Sequence, residues 1–260
     1  MKRILTPLVV ALVWFSSAFA LYNGNPAEPE LIEEGLFIPD DFCLAVKLGY
    51  QGDIVFDRKL RAYNGASGRM DESRLYIQQG VLTLNMIQKL ELYVSLGAIN
   101  AFFTNRPHFD EKRREYQTDN RLAWGTGGRL VLFNWDAATV GLNGSYFQGY
   151  PHLKWDALNG VSFPSEANVK YHEWQVGLGV SYQVDLFCPY ISATYSDVRA
   201  RISRISSNMQ LHSSHFKMRS RDKFGMALGC SLTNAKIVDI NLEVRLIDEA
   251  AVILAGNIAW

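Results

Sequence analysis

The chain has 260 residues, of which 48% are hydrophobic, and its 26 basic residues balance its 26 acidic residues. A net charge of zero gives no argument for a nucleic-acid partner, which would need a basic surface. After the N-terminus no run of about 18 consecutive apolar residues occurs, which excludes membrane-spanning helices. The length is that of one domain.

The N-terminus has the pattern of a secretory signal peptide. Lys2 and Arg3 precede an apolar run over 4–15, and small residues follow up to Ala20. Such a run is too short for a mature transmembrane helix, and the A-x-A ending predicts cleavage after Ala20. We therefore predict a signal peptide over 1–20 and a periplasmic N-terminal segment over 21–41, with the folded domain at 42–260.

Alternation of apolar and polar residues runs through the rest of the chain. Trp174, Val176 and Leu178, for example, alternate with Gln175 and Gly177. A period of two indicates β-strands with one apolar face, and helical periodicity is not sustained after residue 40. We predict about ten strands, within a range of eight to sixteen: 42–58, 74–87, 89–103, 121–134, 138–148, 171–185, 189–203, 221–233, 237–247 and 250–260.

The connections between these strands alternate in length. Long ones cover 59–73, 104–120, 149–170 and 204–220, whereas the others are short. Outer-membrane barrels have short periplasmic turns and longer extracellular loops. The last strand ends on Trp260, an aromatic terminus that is common in such barrels. Together with the signal peptide, this favours an all-β antiparallel transmembrane barrel in the bacterial outer membrane over a soluble sandwich.

Five segments resemble the chlamydial major outer membrane porin family. They cover the start, middle and end of the strand framework: NPAEP at 25–29, GYQGDIVFDRKL at 49–60, YHEWQ at 171–175, FCPYI at 187–191 and RLIDE at 245–249. Family members are longer, richer in cysteine and usually assigned sixteen strands, and they usually end on Phe. The resemblance therefore indicates a short member or paralogue.

The resemblance implies a porin that lets small hydrophilic solutes or ions diffuse passively through a narrow charged lumen. It also implies a homo-oligomer, a trimer in the family, and disulfide-linked envelope partners. A structural or adhesive barrel without a conducting pore is the alternative. Outer-membrane lipid and lipopolysaccharide are the expected surroundings, and no nucleic acid, cofactor or metal ion is expected.

Charges of both signs share the face that would line the lumen. Buried unpaired charges are costly, so these groups must pair across the lumen or stay hydrated. Small residues on the same face, such as Gly141, Gly177 and Gly179, leave room either for water or for a plug. The predicted pore-lining residues are Lys47, Asp53, Asp57, Glu91, Arg129, Glu173, Lys223, Asp239, Glu243 and Arg245.

Three further features bear on function. Of the three cysteines, Cys43 and Cys188 are predicted at the periplasmic rim, where they could form a disulfide, and Cys230 has lipid-facing parity. The 199–223 region is strongly basic and could contact lipopolysaccharide phosphates or host polyanions. Alternatively, it is an ordinary solvated loop or a loop folded into the pore. Catalysis is not expected, because no G-x-S-x-G or other nucleophile motif accompanies the histidines His108, His152, His172, His212 and His215.

Overall fold

The computed structural model describes residues 22–31, 44–64, 67–233 and 237–259. The signal peptide, Cys43 and Trp260 lie outside these residues. One short helix, α1 (Glu28–Leu31), precedes a single fifteen-stranded sheet. Its strands are β1 (Leu44–Arg58), β2 (Leu60–Tyr63), β3 (Gly68–Met86), β4 (Leu90–Pro107), β5 (Arg114–Thr118), β6 (Arg121–Trp135), β7 (Ala138–Gly149), β8 (Leu153–Leu158), β9 (Val161–Pro164), β10 (Asn168–Tyr182), β11 (Phe187–Ser203), β12 (His215–Ser220), β13 (Phe224–Thr233), β14 (Val238–Leu246) and β15 (Glu249–Ala259).

Ten of these strands close into an antiparallel barrel. In chain order, β1, β3, β4, β6, β7, β10, β11, β13, β14 and β15 each pair with the next, and β15 pairs back with β1. Closure leaves no sheet edge within the barrel wall. The predicted all-β barrel of about ten strands is therefore confirmed.

The two ends of the barrel differ as the connection lengths indicated. One end, the turn end, carries the short connections 87–89, 136–137 and 183–186. The other, the loop end, carries the long connections, which contain the accessory strands β2, β5, β8, β9 and β12. These short strands lengthen the wall, since β5 pairs with β4 and β8, while β12 pairs with β11 and β2.

The outer face of the barrel is apolar around its middle. On β10 the outward residues from Trp174 to Tyr182 are 39–56% exposed, although all five are large and hydrophobic. Large continuous apolar patches of this kind are not left in water, and an apolar band with aromatic residues at both margins is the surface that lipid covers. No helix in the described ranges is long and apolar enough to cross a bilayer.

The interior is divided along the barrel axis. At the loop end, Phe103, Phe147, Ile202 and Phe216 are completely buried in one apolar cluster. Towards the turn end the inward side chains are polar or charged. Residues 22–31 lie within this polar half, in contact with strands from all round the barrel. These residues belong to the predicted periplasmic segment over 21–41, whose other residues lie outside the described ranges. Within the lumen, polar side chains of the wall hydrogen bond to their backbone groups.

Candidate functional site in the barrel lumen

Residues 22–31, here called the inner segment, are held by side chains of the barrel wall. The backbone N–H groups of Asn23 and Gly24 donate to the Glu243 carboxylate, at 3.2 and 3.0 Å. Near the turn end, the side chains of Asn85 and Thr233 donate to the carbonyl oxygens of Pro29 and Leu31, at 2.6 and 3.2 Å. None of residues 22–31 belongs to a strand, so the segment is attached through side chains and not through a sheet ladder.

Glycines in the wall make room for the inner segment. A Cβ atom added at Gly141 would lie 2.9 Å from the carbonyl oxygen of Pro26, and one at Gly179 would lie 2.7 Å from the Pro26 ring. Separations this short force atoms apart, so neither position accommodates a side chain while the segment is in place. Of the two interpretations of the small inward residues, this packing favours the plug.

A first cluster of buried charges lies beside the inner segment. Lys47 and Arg129 both pair with Glu91, and Arg129 lies 3.3 Å from Glu28 of the segment. The Arg129 guanidinium also lies 5.0 Å from the ring centroid of Tyr22. Two cations thus face two carboxylates, one from the wall and one from the segment. Displacing the segment would remove the Glu28 carboxylate from Arg129 and leave Glu91 as the ion-pair partner of this arginine in the wall.

A second cluster of buried charges lies towards the loop end. Arg58 pairs with Glu173 at 2.5 Å and also with Glu249, and Arg245 lies 2.7 Å from Glu249 and 3.5 Å from Asp248. All five side chains are almost completely buried. Three of these residues, Arg58, Asp248 and Glu249, were missed in the sequence. The two acids lie between the predicted strands 237–247 and 250–260, where the sequence predicts a connection. The RLIDE segment at 245–249 nevertheless contains both of them together with Arg245.

Eight of the ten predicted pore-lining residues point into the lumen and are buried: Lys47, Asp53, Glu91, Arg129, Glu173, Asp239, Glu243 and Arg245.

Asp57 and Lys223 do not line the lumen. A register shift between Val55 and Asp57 changes the parity of β1, so that Arg58 turns inward and Asp57 pairs with Lys59 at the surface. Lys223 precedes the first residue of β13 and reaches outward to Asp197, at 3.0 Å. Alternation predicts a face only where the ladder is regular.

The described lumen has little free space. Two small cavities border the inner segment, each of about 10 Å³ and thus with room for about one water molecule. The first is lined by Asn25, Pro26 and Gly141, the second by Tyr22, Glu28 and Asn257, among others. At the loop end the apolar cluster fills the interior. The arrangement therefore consists of two buried charged layers, one filled by the inner segment and one next to an apolar layer.

Cys188 and Cys230 lie close together on the paired strands β11 and β13, but on opposite faces of the wall. Cys188 is a completely buried free thiol that faces inward and packs with Ala27 and Leu31 of the inner segment. Cys230 is a free, half-buried thiol. Cys43 lies outside the described residues, so a Cys43–Cys188 disulfide stays a prediction.

The connection after β4 is tied to the opposite side of the loop end by one buried arginine. Arg114 pairs with Asp110 through two nitrogens, at 2.7 and 2.8 Å, and donates to the carbonyl oxygen of Met209 at 2.9 Å. This guanidinium holds the pKa of Asp110 below its ordinary value. The Arg114 guanidinium thus joins two of the long connections at the loop end, through its ion pair on one side and its hydrogen bond to Met209 on the other.

Comparison with known proteins finds similarity to outer membrane porins. The family described as "Chlamydia major outer membrane protein" matches residues 159–206. The chain is 26% identical to the major outer membrane porin, serovar F, of Chlamydia trachomatis, over 388 aligned positions covering 96% of this chain and 98% of the relative. The serovar L1 porin is 25% identical over 386 positions, with the same coverage. Since these alignments exceed 260 positions, the relatives carry insertions.

Among solved structures, the outer membrane protein OprG from Pseudomonas aeruginosa superposes with a TM-score of 0.39 and 11% identity, covering 88% of this chain and 97% of that one. Similarity at this level defines neither an activity nor a ligand.

Proposed function

The chain belongs to the family of chlamydial major outer membrane porins, and on this premise we propose that it is a porin of the outer membrane. Its cargo is small hydrophilic solutes or ions, which diffuse passively through a narrow lumen lined by charges. The observation that carries the proposal is the closed ten-stranded barrel whose inward face, over its turn-end half, is polar and charged. Eight strands leave an interior just filled by side chains, whereas ten enclose more.

Passage through this lumen requires the inner segment to move. With the segment in place, its backbone and side chains occupy the polar half of the barrel. With it displaced, Lys47, Glu91, Arg129 and Glu243 would line an aqueous path of mixed sign, which screens solutes by charge. At the loop end, the buried apolar cluster is a second constriction. Hydrophobic constrictions of this kind gate by dewetting.

Liposome swelling with sugars of graded size tests the porin function. Liposomes containing the refolded chain should swell in the smallest sugars only, and faster when residues 22–31 are deleted. Swelling by neither protein, with folding verified by the heat-dependent gel shift of barrels, would contradict a porin function.

The closed lumen also supports a second candidate, a structural or adhesive barrel that does not conduct. In that case the deletion would change envelope stability and not solute uptake. Enzymatic activity is not part of the proposal. Ser213 Oγ lies 3.1 Å from His215 Nδ1, but no carboxylate hydrogen bonds to that imidazole within the described part of the chain, so the third member of a catalytic triad is missing.

Two further partners follow from the family. A homo-oligomer, by analogy a trimer, would bury part of the apolar outer face. Bridges to envelope proteins would use the thiols of Cys43 or Cys230, since Cys188 faces the lumen. Cross-linking of intact envelopes and non-reducing electrophoresis would detect either.

A further inference from the structure

The 199–223 region does not form a simple loop. It comprises the end of β11, a connection and β12, and it lies in the barrel wall at the loop end between β10 and β2. Outward-facing cations occur in register across these four strands, while the residues alternating with them, such as Ala200, Ile202 and Met218, are buried. We call this surface the basic wall: Arg61, Lys170, Arg199, Arg201, Lys217 and Arg219.

The cations of the basic wall form two rows. In the upper row, Lys170 lies opposite Arg201, and Arg201 lies opposite Lys217. In the lower row, Arg199 lies opposite Arg219, which lies opposite Arg61. Like charges directly opposite each other on neighbouring strands destabilise a sheet. Two rows of opposed cations are therefore favourable only when anions lie between the side chains.

The protein itself supplies few such anions. Asp197 is the carboxylate that pairs with the lower row, at 3.0 Å from both Arg199 and Arg219. Within the described ranges, no carboxylate lies within ion-pair distance of Arg61, Lys170, Arg201 or Lys217. Elsewhere at the loop end, most surface arginines have a carboxylate partner.

Examples of such paired arginines are Arg113 with Glu115 at 2.7 Å, Arg121 with Asp119 at 2.8 Å, and Arg74 with Glu72. The unpaired cations are therefore concentrated in the basic wall.

The position of the basic wall relative to the membrane is given by aromatic side chains. Trp174, Tyr195 and Phe224 form a row of contacting rings on the outer face, with centroids 5.5 and 5.1 Å apart. From Trp174 to Tyr182 the apolar band covers roughly 20 Å along the membrane normal, for strands tilted by about 40°. These rings therefore mark the loop-end margin of the lipid-facing band.

The cations begin directly beyond this margin. Lys170 is four residues from Trp174, and Arg199 is four residues from Tyr195. That distance is about 13 Å along a strand and roughly 10 Å along the membrane normal. Long basic side chains can reach back towards the aromatic row. The basic wall thus lies at the depth of lipid headgroups in the outer leaflet.

We propose that the basic wall binds the phosphorylated sugar headgroup of an outer-leaflet glycolipid of the lipid A type. Its phosphates would lie between the two rows of cations, where they accept charge-assisted hydrogen bonds from the guanidinium groups. Its acyl chains would run down the apolar face below Trp174 and Tyr195. A soluble polyanion would neutralise the cations, but it would not cover the apolar outer face that adjoins the basic wall. The proposal depends on the outer-membrane location and not on whether the lumen conducts.

Native mass spectrometry of the refolded full chain in detergent micelles tests this site. The probes are lipid A with both phosphates and the same lipid with both phosphates removed. The variant carries Arg61→Gln, Arg201→Gln and Lys217→Gln. The matched control carries Arg74→Gln, Arg113→Gln and Arg121→Gln, which remove the same charge from cations that have carboxylate partners.

We expect the affinity for phosphorylated lipid A to fall roughly 5-fold per lost charge, thus on the order of 100-fold for the triple variant at low salt. The control should change by less than about 3-fold, and removal of the phosphates should weaken binding to the unaltered chain to a similar degree as the triple variant does. If the triple variant does not fold, Arg201→Gln alone should show about a 5-fold loss.

Three results would overturn the proposal. The first is equal loss in the triple variant and the control, because the effect would then be general electrostatics. The second is binding of the dephosphorylated lipid as tightly as of lipid A. The third is displacement of lipid A by heparin at equal phosphate and sulfate concentrations, which would assign the wall to a soluble polyanion.

Discussion

Neutralising Glu243 should loosen the inner segment without unfolding the barrel. This carboxylate accepts hydrogen bonds from the backbone N–H groups of Asn23 and Gly24, and from the Tyr190 hydroxyl at 2.7 Å. Hydrogen bonds to a charged group contribute about 1.5–3 kcal/mol, compared with about 0.5–1.5 kcal/mol between neutral groups. In Glu243→Gln the two hydrogen bonds from the inner segment should therefore weaken by about 2–3 kcal/mol in total. The fraction of molecules whose inner segment has left the lumen should then rise roughly 30- to 150-fold.

Thiol labelling measures this fraction. Ala27→Cys introduces a thiol at a buried position of the segment, in a background where Cys43, Cys188 and Cys230 are replaced by serine. A maleimide reagent reaches that thiol when the segment leaves the lumen. Labelling should thus be roughly 30- to 150-fold faster with Glu243→Gln than without it.

The matched control is Glu72→Gln, which removes a carboxylate from an exposed pair with Arg74. Its labelling rate should equal that of the parent. Equal rates for Glu243→Gln and the parent would refute the reasoning, because they would mean that the carboxylate does not hold the segment.

Three further perturbations follow from the same contacts. Gly141→Ala should weaken docking of the inner segment by about 1–3 kcal/mol through overpacking, whereas Gly144→Ala, whose added Cβ would meet its nearest atom at 3.9 Å, should leave the labelling rate unchanged. Arg58→Gln should destabilise the barrel by about 3–5 kcal/mol because it leaves buried carboxylates unpaired, as measured by urea-dependent loss of the heat-modifiable gel band. Because the pKa of Asp110 is lowered in the folded protein, its ion pair should stabilise the loop end above pH about 4 and lose this effect as pH falls through the lowered value.

Each of these has a control or a contradicting result. The control for Arg58→Gln is Arg121→Gln, which removes an exposed arginine from a single ion pair. It should change the free energy of unfolding by less than about 0.5 kcal/mol. An equal loss of stability in the two variants would mean that burial of the second charged cluster is unimportant. For the pH effect, the resistance of residues 204–214 to proteolysis is compared between the parent and Asp110→Asn. An advantage of the parent that does not diminish at any pH below about 4 would contradict the assignment.

The strand framework could be predicted because its signal is local and repeated. Each strand alternates for eight or more residues, and the connections separate into two length classes, so ten strands and their order followed. The accessory strands could not be predicted so easily, since runs such as Arg114–Thr118 are too short for a period to stand out. The prediction for Asp57 failed for a related reason, because a single register shift after Val55 reverses the parity of all later residues in that strand.

The position of the inner segment has no local signal at all. Asn23 and Gly24 reach Glu243 across about 220 residues of sequence, and Asn25 reaches the Cys188 carbonyl across 163. Only the small inward residues indicated that something could occupy the lumen, and they fitted a water-filled lumen equally well. The charges of the lumen could be predicted as a set, but their pairing depends on which strands closure brings together.

A redox lock on the inner segment tests the central claim most directly. Ala27 and Cys188 pack in one buried cluster. An added oxidant should therefore convert the two thiols of Ala27→Cys, in a Cys43→Ser, Cys230→Ser background, into a disulfide that fixes the segment in the lumen. Intact mass verifies the bond. Planar-bilayer recording should show no discrete conductance from the oxidised protein and discrete steps after reduction. Equal conductance in both states would contradict the account, because solutes would then pass with the segment in place.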